Sequence, residues 1–412
     1  MRILIVHQFY LQPGEPGGSR FNEFARLWAA AGHDVTVVAG TVNYATGKAP
    51  AKYHRRWITR EKDGEVVVWR CHVPESYGKS YKGRMWAFFA FTLSASTAVL
   101  RCGRPDVVLA TSPPLVAAIP GWIAARLRRA KLIFEIRDLW PESAVTTGVL
   151  REGSMLTKWL YALERWACRR ADKVNVLTPA FRDDLLRRGL VGGDKIVFVP
   201  NGADLDLFSP GSADLALREE LGWGERLVVM YSGAHGRANA VGQLVDAAAL
   251  LKDRPDILIS TVGDGPERRQ HEERARALGL TNIVFNGAQP KERMPAIVNA
   301  CDVGAAVLQN NPTFRTVYPN KVFDYMACGK PTLLAIDGVA RQMVCDEAQA
   351  GVFVEPENAQ ALTVAIRKLA DDAGARTAMG RRGREWVETH AGREGLAKHY
   401  AEIMEELVHG ER

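Results

Sequence analysis

Short apolar runs alternate with helix-length segments twice along the chain, and this repeated alternation constrains the fold more than any other feature. In the first half the runs are "RILIVH", "HDVTVVAG", "EVVVWRCHV", "DVVLATS" and "KLIFEIRD". After residues 200–224 the pattern restarts with "RLVVMYSG", "DILISTVGDG", "NIVFNG", "CDVGAAVL", "KPTLLAI" and "GVFVEP". Strands that are apolar on both faces belong to a parallel sheet covered by helices on each side. A chain of 412 residues is also too long for one ordinary core. The expectation is an α/β protein of two doubly wound, Rossmann-like domains, with ligand bound in the cleft between them at the C-terminal ends of strands. The Pro, Gly and Asp density of residues 200–224 reads as the linker.

Within this frame, "QPGEPGGSRFNEFARLWAAAGHDVTVV" places Gly17, Gly18 and Ser19 between the first strand and an amphipathic helix that turns Phe21, Phe24, Ala25 and Leu27 inward. Glycines at a helix start let the backbone approach phosphate or carboxylate, although any strand-to-helix turn favours them. "YSGAHGRANAVGQLVDAAALL" repeats the arrangement in the second half. There Arg237 is either a surface arginine or a guanidinium able to pair with two phosphate oxygens. "VGDGPERRQ" has Gly263 and Gly265 without the third glycine of a dinucleotide fingerprint, and reads as a tight turn lining the cleft.

The stretch "RTVYPNKVFDYMACGKP" carries a helix that starts at Pro319 or Asn320, ends near Gly329, and faces Phe323 and Met326 inward. Lys321 and Asp324 share a face of it. They form either an intrahelical ion pair or a site in which the lysine meets phosphate and the acid meets ribose hydroxyls. "FEIRDLWPES" crowds Glu135, Arg137, Asp138 and Glu142 at a strand end, where acceptor or catalytic groups are expected. The "DLD" at Asp204–Asp206 mimics a two-acid metal motif, but its place after "PNGA" favours turn and capping roles, so no metal is expected.

The net charge of +7 asks for an acidic partner. With no zinc finger, RNA-recognition signature or long basic tail, nucleic acid is not the expected one. Six scattered cysteines without a C-x-x-C pair fit buried thiols in a reducing compartment. The opening "MRILIVHQFY", with an apolar run of four before His7, is shorter than a secretory signal and reads as a first strand of a cytoplasmic protein. Residues 79–104 hold 16 apolar-rich positions from Met85 to Leu100, short for a bilayer span. The segment is either a buried helix or, with Trp86, Phe88 and Phe89 beside Lys79, Lys82 and Arg84, a membrane-surface contact. The C-terminal segment is expected to be helical throughout, with breaks near Gly380 and Ala391.

Arg237, "GDGPE", "PNGADLDLF" and "PNKVFDYMACGKP", in this order, resemble the family 4 glycosyltransferases of the GT-B superfamily over essentially the full chain. The N-terminal stretch and "FEIRDLWPES" are more narrowly similar to the WbuB-type fucosamine transferases of surface polysaccharide synthesis. The resemblance implies an acceptor domain at 1–200, a nucleotide-sugar donor domain at 201–395, and a final helix near 396–412 that crosses back to the first. It also implies a metal-independent, retaining transfer from a UDP-sugar to a lipid-linked saccharide, with no cofactor. The protein would work on the inner face of the cytoplasmic membrane, in contact with it through residues 79–104.

By position, Asp324 matches the second acid of the family's pair, and Thr316 stands eight residues earlier where the first acid is usual. A hydroxyl supplies no charge-assisted contact, which points to a different donor sugar, such as an N-acetylated deoxyhexose. The family's following lysine falls near Asn239, so Lys321 is expected to replace its charge. The family's first-domain histidine falls at Arg137, leaving Asp138 and Glu142 as the nearest protonatable groups. Gly17, Gly18, Ser19, Arg137, Thr316, Asn320 and Asp324 are expected to bind substrate. Arg237 and Lys321 would both bind and act, with Asp138 and Glu142 as the other catalytic candidates. Two rivals share the scaffold: a nucleotide-sugar 2-epimerase, and a non-catalytic nucleotide-sugar or polysaccharide-binding protein.

Overall fold

The computed structural model describes every residue except 14, 16–19, 44, 45, 79, 80, 411 and 412. It divides into two compact units, Met1–Pro200 with Glu394–Arg412, and Asn201–Arg393.

The first unit is built on eight strands: β1 (Arg2–Val6), β2 (Asp34–Gly40), β3 (Ile58–Asp63), β4 (Val66–Cys71), β5 (Val107–Ser112), β6 (Lys131–Ile136), β7 (Lys173–Val176) and β8 (Ile196–Phe198). Their order is β3-β4-β2-β1-β5-β6-β7-β8. Only the β3–β4 pair is antiparallel. The sheet reverses its winding between β1 and β5, and such a switch point opens a crevice at the strands' C-terminal ends. On one face the Arg20–Ala30 helix buries Phe21, Phe24, Ala25 and Trp28. Trp28, not the expected Leu27, completes the stripe, because it also meets the last helix, Arg393–His409. Its indole N–H donates to the Ala397 carbonyl at 2.8 Å, and its ring packs edge-on against Tyr400 at 5.7 Å.

Glu135, one of the acids crowded in "FEIRD", is fully buried inside this unit. Arg20 donates to both its oxygens and to the Val199 carbonyl, and Asn175 donates to it at 2.9 Å. A buried charge persists only when paired in this way, so Glu135 is a fold-holding group and leaves the candidate site.

The second unit has β9 (Leu227–Ser232), β10 (Ile257–Val262), β11 (Ile283–Gly287), β12 (Val303–Val307), β13 (Thr332–Ala335) and β14 (Gly351–Phe353). Their order is β11-β10-β9-β12-β13-β14, all parallel, with the switch between β9 and β12. Two buried clusters cover the sheet's faces, one around Trp223, Phe323 and Met343, the other around Leu244, Leu258's neighbour Ile259, and Ile366.

Two expectations change here. Residues 200–224 are not a free linker: Phe208, Leu217, Leu221 and Trp223 enter the core, and Trp223 donates to Ser260 at 3.1 Å. Asp204 caps a turn by accepting from the Asp206 and Leu207 amides. The C-terminal segment breaks at Asp372 and at Ala391–Gly392, not at Gly380. Gly380 lies inside the Ala373–His390 helix, where a Cβ would sit 1.9 Å from the Gly329 carbonyl oxygen, so its glycine serves close backbone approach.

Candidate active site

The helix Asn320–Ala327 buries Val322, Phe323, Tyr325, Met326 and Ala327, leaving Lys321 and Asp324 on the remaining face. Tyr325 fixes its place: the Ser232 amide donates to the phenol oxygen at 2.9 Å, and that hydroxyl donates to the Ala305 carbonyl. Gly304 makes room, since a Cβ there would meet the Tyr325 ring at 2.3 Å. The helix is thereby pinned to the end of β9 and the middle of β12, beside the switch point.

Lys321 does not pair with Asp324. Its Nζ lies 3.7 Å from the centroid of the Tyr231 ring. No carboxylate comes within ion-pair distance of it among the described residues, and burial pushes its ammonium down to about 7. Two glycine turns follow the ends of β9 and β10 beside it. The Gly233 amide donates to Val262 and the Gly263 amide to Gly287. A Cβ on Gly233 would stand 2.9 Å from the lysine Nζ, and one on Gly263 only 1.9 Å from the Gly233 oxygen. Gly233 therefore leaves open space beside an ammonium that has no carboxylate partner among the described residues.

Arg237 opens the short turn Arg237–Asn239 that follows β9. It is exposed and forms no ion pair among the described residues, while the Gln309 amide anchors its turn at the end of β12 by donating to Ala238. Thr316 ends the turn Pro312–Thr316 and donates its hydroxyl to the Thr313 carbonyl at 2.7 Å. Asn320 is exposed in the first turn of its helix. Gly17, Gly18 and Ser19 lie outside the described residues.

The first unit brings together a second group. Immediately after β1, buried His7 has Nδ1 2.7 Å from Thr111 Oγ1 and Nε2 3.4 Å from an Arg137 nitrogen. A guanidinium only donates, so Nε2 must be the bare acceptor and Nδ1 must carry the hydrogen given to Thr111. Burial, and then the Arg137 charge, hold His7 well below its ordinary range. Asp138 accepts from Ser143 at 3.0 Å, and burial raises its carboxyl above the usual value. Glu142 accepts from the Tyr161 hydroxyl.

His7 and Tyr231 escaped the sequence reading. Each borders a switch point, one just past the first strand of its sheet and the other near the end, and that position was the available signal. Among the described residues no group of three or more His, Cys, Asp or Glu is arranged to hold a metal.

The two sheets, each with its crevice at a switch point, define a glycosyltransferase of the GT-B fold. Residues 17–202 match the glycosyl transferase 4-like domain, and residues 215–386 match the glycosyl transferases group 1. The chain belongs to the family 4 glycosyltransferases. It is 25% identical over 377 residues to WcaI of Escherichia coli strain K12, named for a glycosyl transferase role in colanic acid biosynthesis, covering 89% of this chain and 92% of that one. The fold is shared with HepE of Anabaena, solved in complex with UDP, at a TM-score of 0.73 and 20% identity over 98% of this chain and 100% of that one. It is likewise shared with sucrose-phosphate synthase of Thermosynechococcus elongatus, at 0.75 and 19% over 99% of each. The epimerase and non-catalytic readings give way to a transferase.

Proposed function

We propose that this glycosyltransferase moves a sugar from a UDP-sugar to a lipid-linked saccharide in surface polysaccharide synthesis, with retention and without a metal. The observation that carries the reading is Lys321, a desolvated lysine with no carboxylate in ion-pair reach among the described residues, set beside the Gly233 turn at a switch point. A diphosphate supplies the missing charge, and the lack of a side chain at Gly233 lets it approach the ammonium. Lys321 and Arg237 would stabilise the leaving UDP, taking the role a metal has elsewhere. Asp324 would accept from the ribose hydroxyls. Relatives named for polysaccharide synthesis and a fold neighbour solved with UDP support the substrate class.

In front-face transfer the acceptor oxygen bonds to the anomeric carbon as the carbon–phosphate-oxygen bond breaks, and the acceptor proton passes to the departing diphosphate. The protein then positions the acceptor and stabilises charge. Arg137, oriented by neutral His7, and Asp138, with Glu142 nearby, would hold the acceptor. Thr316, its hydroxyl already engaged by a carbonyl, fits a donor sugar that needs no charged partner, such as an N-acetylated deoxyhexose of the kind WbuB-type transferases use. No helix among the described residues is long and apolar enough to cross a membrane. The exposed aromatic face of the Tyr81–Val99 helix suits a peripheral position on the cytoplasmic membrane, near a lipid-linked acceptor.

Calorimetric titration with UDP, GDP and ADP, with and without magnesium, tests the donor site. Selective, metal-independent UDP binding, weakened by Asp324→Ala by about 1–3 kcal/mol, is expected. Failure to bind any nucleotide would overturn the reading.

A further inference from the structure

Where the strands of the first sheet begin, at the edge opposite His7, there is a cavity of about 450 Å³ whose lining includes Arg2, Asp34, Arg60, Trp69, Arg101 and Arg104. Arg2 is committed to Asp106 at 2.6 Å. Arg60 leans toward the Trp69 ring, 5.9 Å from its centroid. Arg60, Arg101 and Arg104 have no ion pair among the described residues, so three guanidinium groups face one lining carboxylate, Asp34. Guanidinium forks match phosphate oxygens, and a half-open cavity of this size admits a group larger than a single ion.

The cavity lies at the end of the Tyr81–Val99 helix, whose next residues include Arg101 and Arg104. Trp86, Phe89, Leu93 and Leu100 are 58%, 57%, 51% and 52% exposed. Spacings of three and four place Trp86, Phe89 and Leu93 on one helical face, and Leu100 follows directly after the helix end. Trp86 and Phe89 stack at 5.6 Å, and exposed Trp57 is tied to the same helix by its bond to Thr97 at 3.0 Å. An apolar stripe with aromatic side chains, ending in an unpaired basic cavity, has the two halves of an anionic lipid surface as its complement.

We propose that the cavity receives the phosphate-bearing headgroup of an anionic lipid while the Trp86–Leu100 face enters the same leaflet. The proposal rests on the membrane contact put forward above, and names the lipid chemistry and the residues that select it. The test is flotation of the full chain with phosphatidylcholine vesicles, with and without phosphatidylglycerol. Wild type prefers the anionic vesicles, and a combined Arg60→Gln, Arg101→Gln, Arg104→Gln variant loses that preference by more than about tenfold. Neutralising the exposed Arg165, Arg169 and Arg170 in the same way leaves it in place.

An unchanged preference in the cavity variant, an equal loss in the control variant, or a wild type indifferent to phosphatidylglycerol would each overturn the headgroup site. Trp86→Ser with Phe89→Ser reads the membrane contact separately, by lowering binding to both vesicle types. If that variant binds as wild type while the cavity variant loses its preference, the apolar contact fails and the headgroup site stands.

Discussion

Lys321 holds its Nζ 3.7 Å from the centre of the Tyr231 ring, and a Cβ on Gly233 would come within 2.9 Å of the same nitrogen. The ring face offers the ammonium a weak, uncharged partner, worth less than the carboxylate that a neighbouring Asp324 would have given. Desolvation by burial keeps the lysine near the point where it gives up its proton, at about 7. A diphosphate arriving beside it favours the charged form and draws a proton from solution.

The first prediction concerns that proton. UDP binding between about pH 7 and about pH 9 should be accompanied by proton uptake, and affinity should fall as the pH rises through this range. Calorimetry in buffers of different ionisation enthalpy measures the uptake. Lys321→Met should abolish it and weaken binding by about tenfold or more. The same substitution should raise the apo melting temperature by a few degrees, on the order of 2–4 °C per kcal/mol, because it removes a partly desolvated charge whose partner is only an uncharged ring. The sign follows from the depressed value: in the upper part of that range the unfolded lysine holds a proton that the folded one has released, so the wild-type protein gains stability from Lys321 as pH rises.

A second prediction separates the glycines. At Gly233 the added methyl meets the flexible end of Lys321, with Tyr231 Oη 3.2 Å away, whereas at Gly263 it meets the Gly233 backbone oxygen at 1.9 Å. Both have positive φ, 140° and 149°. Gly263→Ala should therefore lower stability by several kcal/mol, in the range of a strained backbone plus a forced shift. Gly233→Ala should melt closer to wild type while losing most of its turnover. Melting curves and initial rates on the two variants check the ranking, and equal melting temperatures would count against it.

These relationships show what the sequence could and could not make legible. The strands of the second sheet are readable because each carries a short apolar run, which the central ones bury on both faces. β3, "ITREKD", is a charged antiparallel edge strand that alternates with solvent, and β7, "KVNV", is short and carries the buried Asn175 that holds Glu135. Neither resembles an apolar run. Periodicity placed Lys321 and Asp324 on one face, yet it had no means of showing that Tyr231, on a distant strand, takes the lysine away from the acid. His7 looked like the last residue of a strand, and only the pairing of β1 with β5 brings Thr111 to it. Local pattern records what a residue does for its own element, whereas both sites arise from long-range adjacency at the switch points.

Acid should weaken both units through histidines. His7 is held well below 6.5 by burial and by Arg137, and His235 is pushed down to about 4 by burial, then by His271 and Arg268. The unfolded chain takes up these protons below about pH 6.5 while the folded chain refuses them, so stability falls as pH drops from there toward about 4. Both His235 ring nitrogens are buried beside the Tyr231, His271 and Phe285 rings and have no hydrogen-bond partner among the described residues. His235→Phe should accordingly flatten the pH dependence of the melting transition without loss at neutral pH. A slope unchanged from wild type would remove His235 from this role.

The last prediction divides binding from turnover. Asp324 sits on a helix fixed to two strands by Tyr325, so its carboxylate is placed before any ligand arrives. Arg237 stands exposed in a short turn, without an ion pair among the described residues, and is free to follow charge as it develops on the leaving diphosphate. An interaction made equally in ground and transition states lowers KM alone, whereas one that strengthens as the bond breaks raises kcat. Asp324→Ala should thus raise the UDP dissociation constant with kcat reduced less than binding. Arg237→Ala should reduce kcat by about 10²-fold or more with a smaller effect on UDP affinity. Steady-state kinetics beside calorimetry on both variants decides the matter, and equal losses in binding and turnover for Arg237→Ala would leave it a binding residue only.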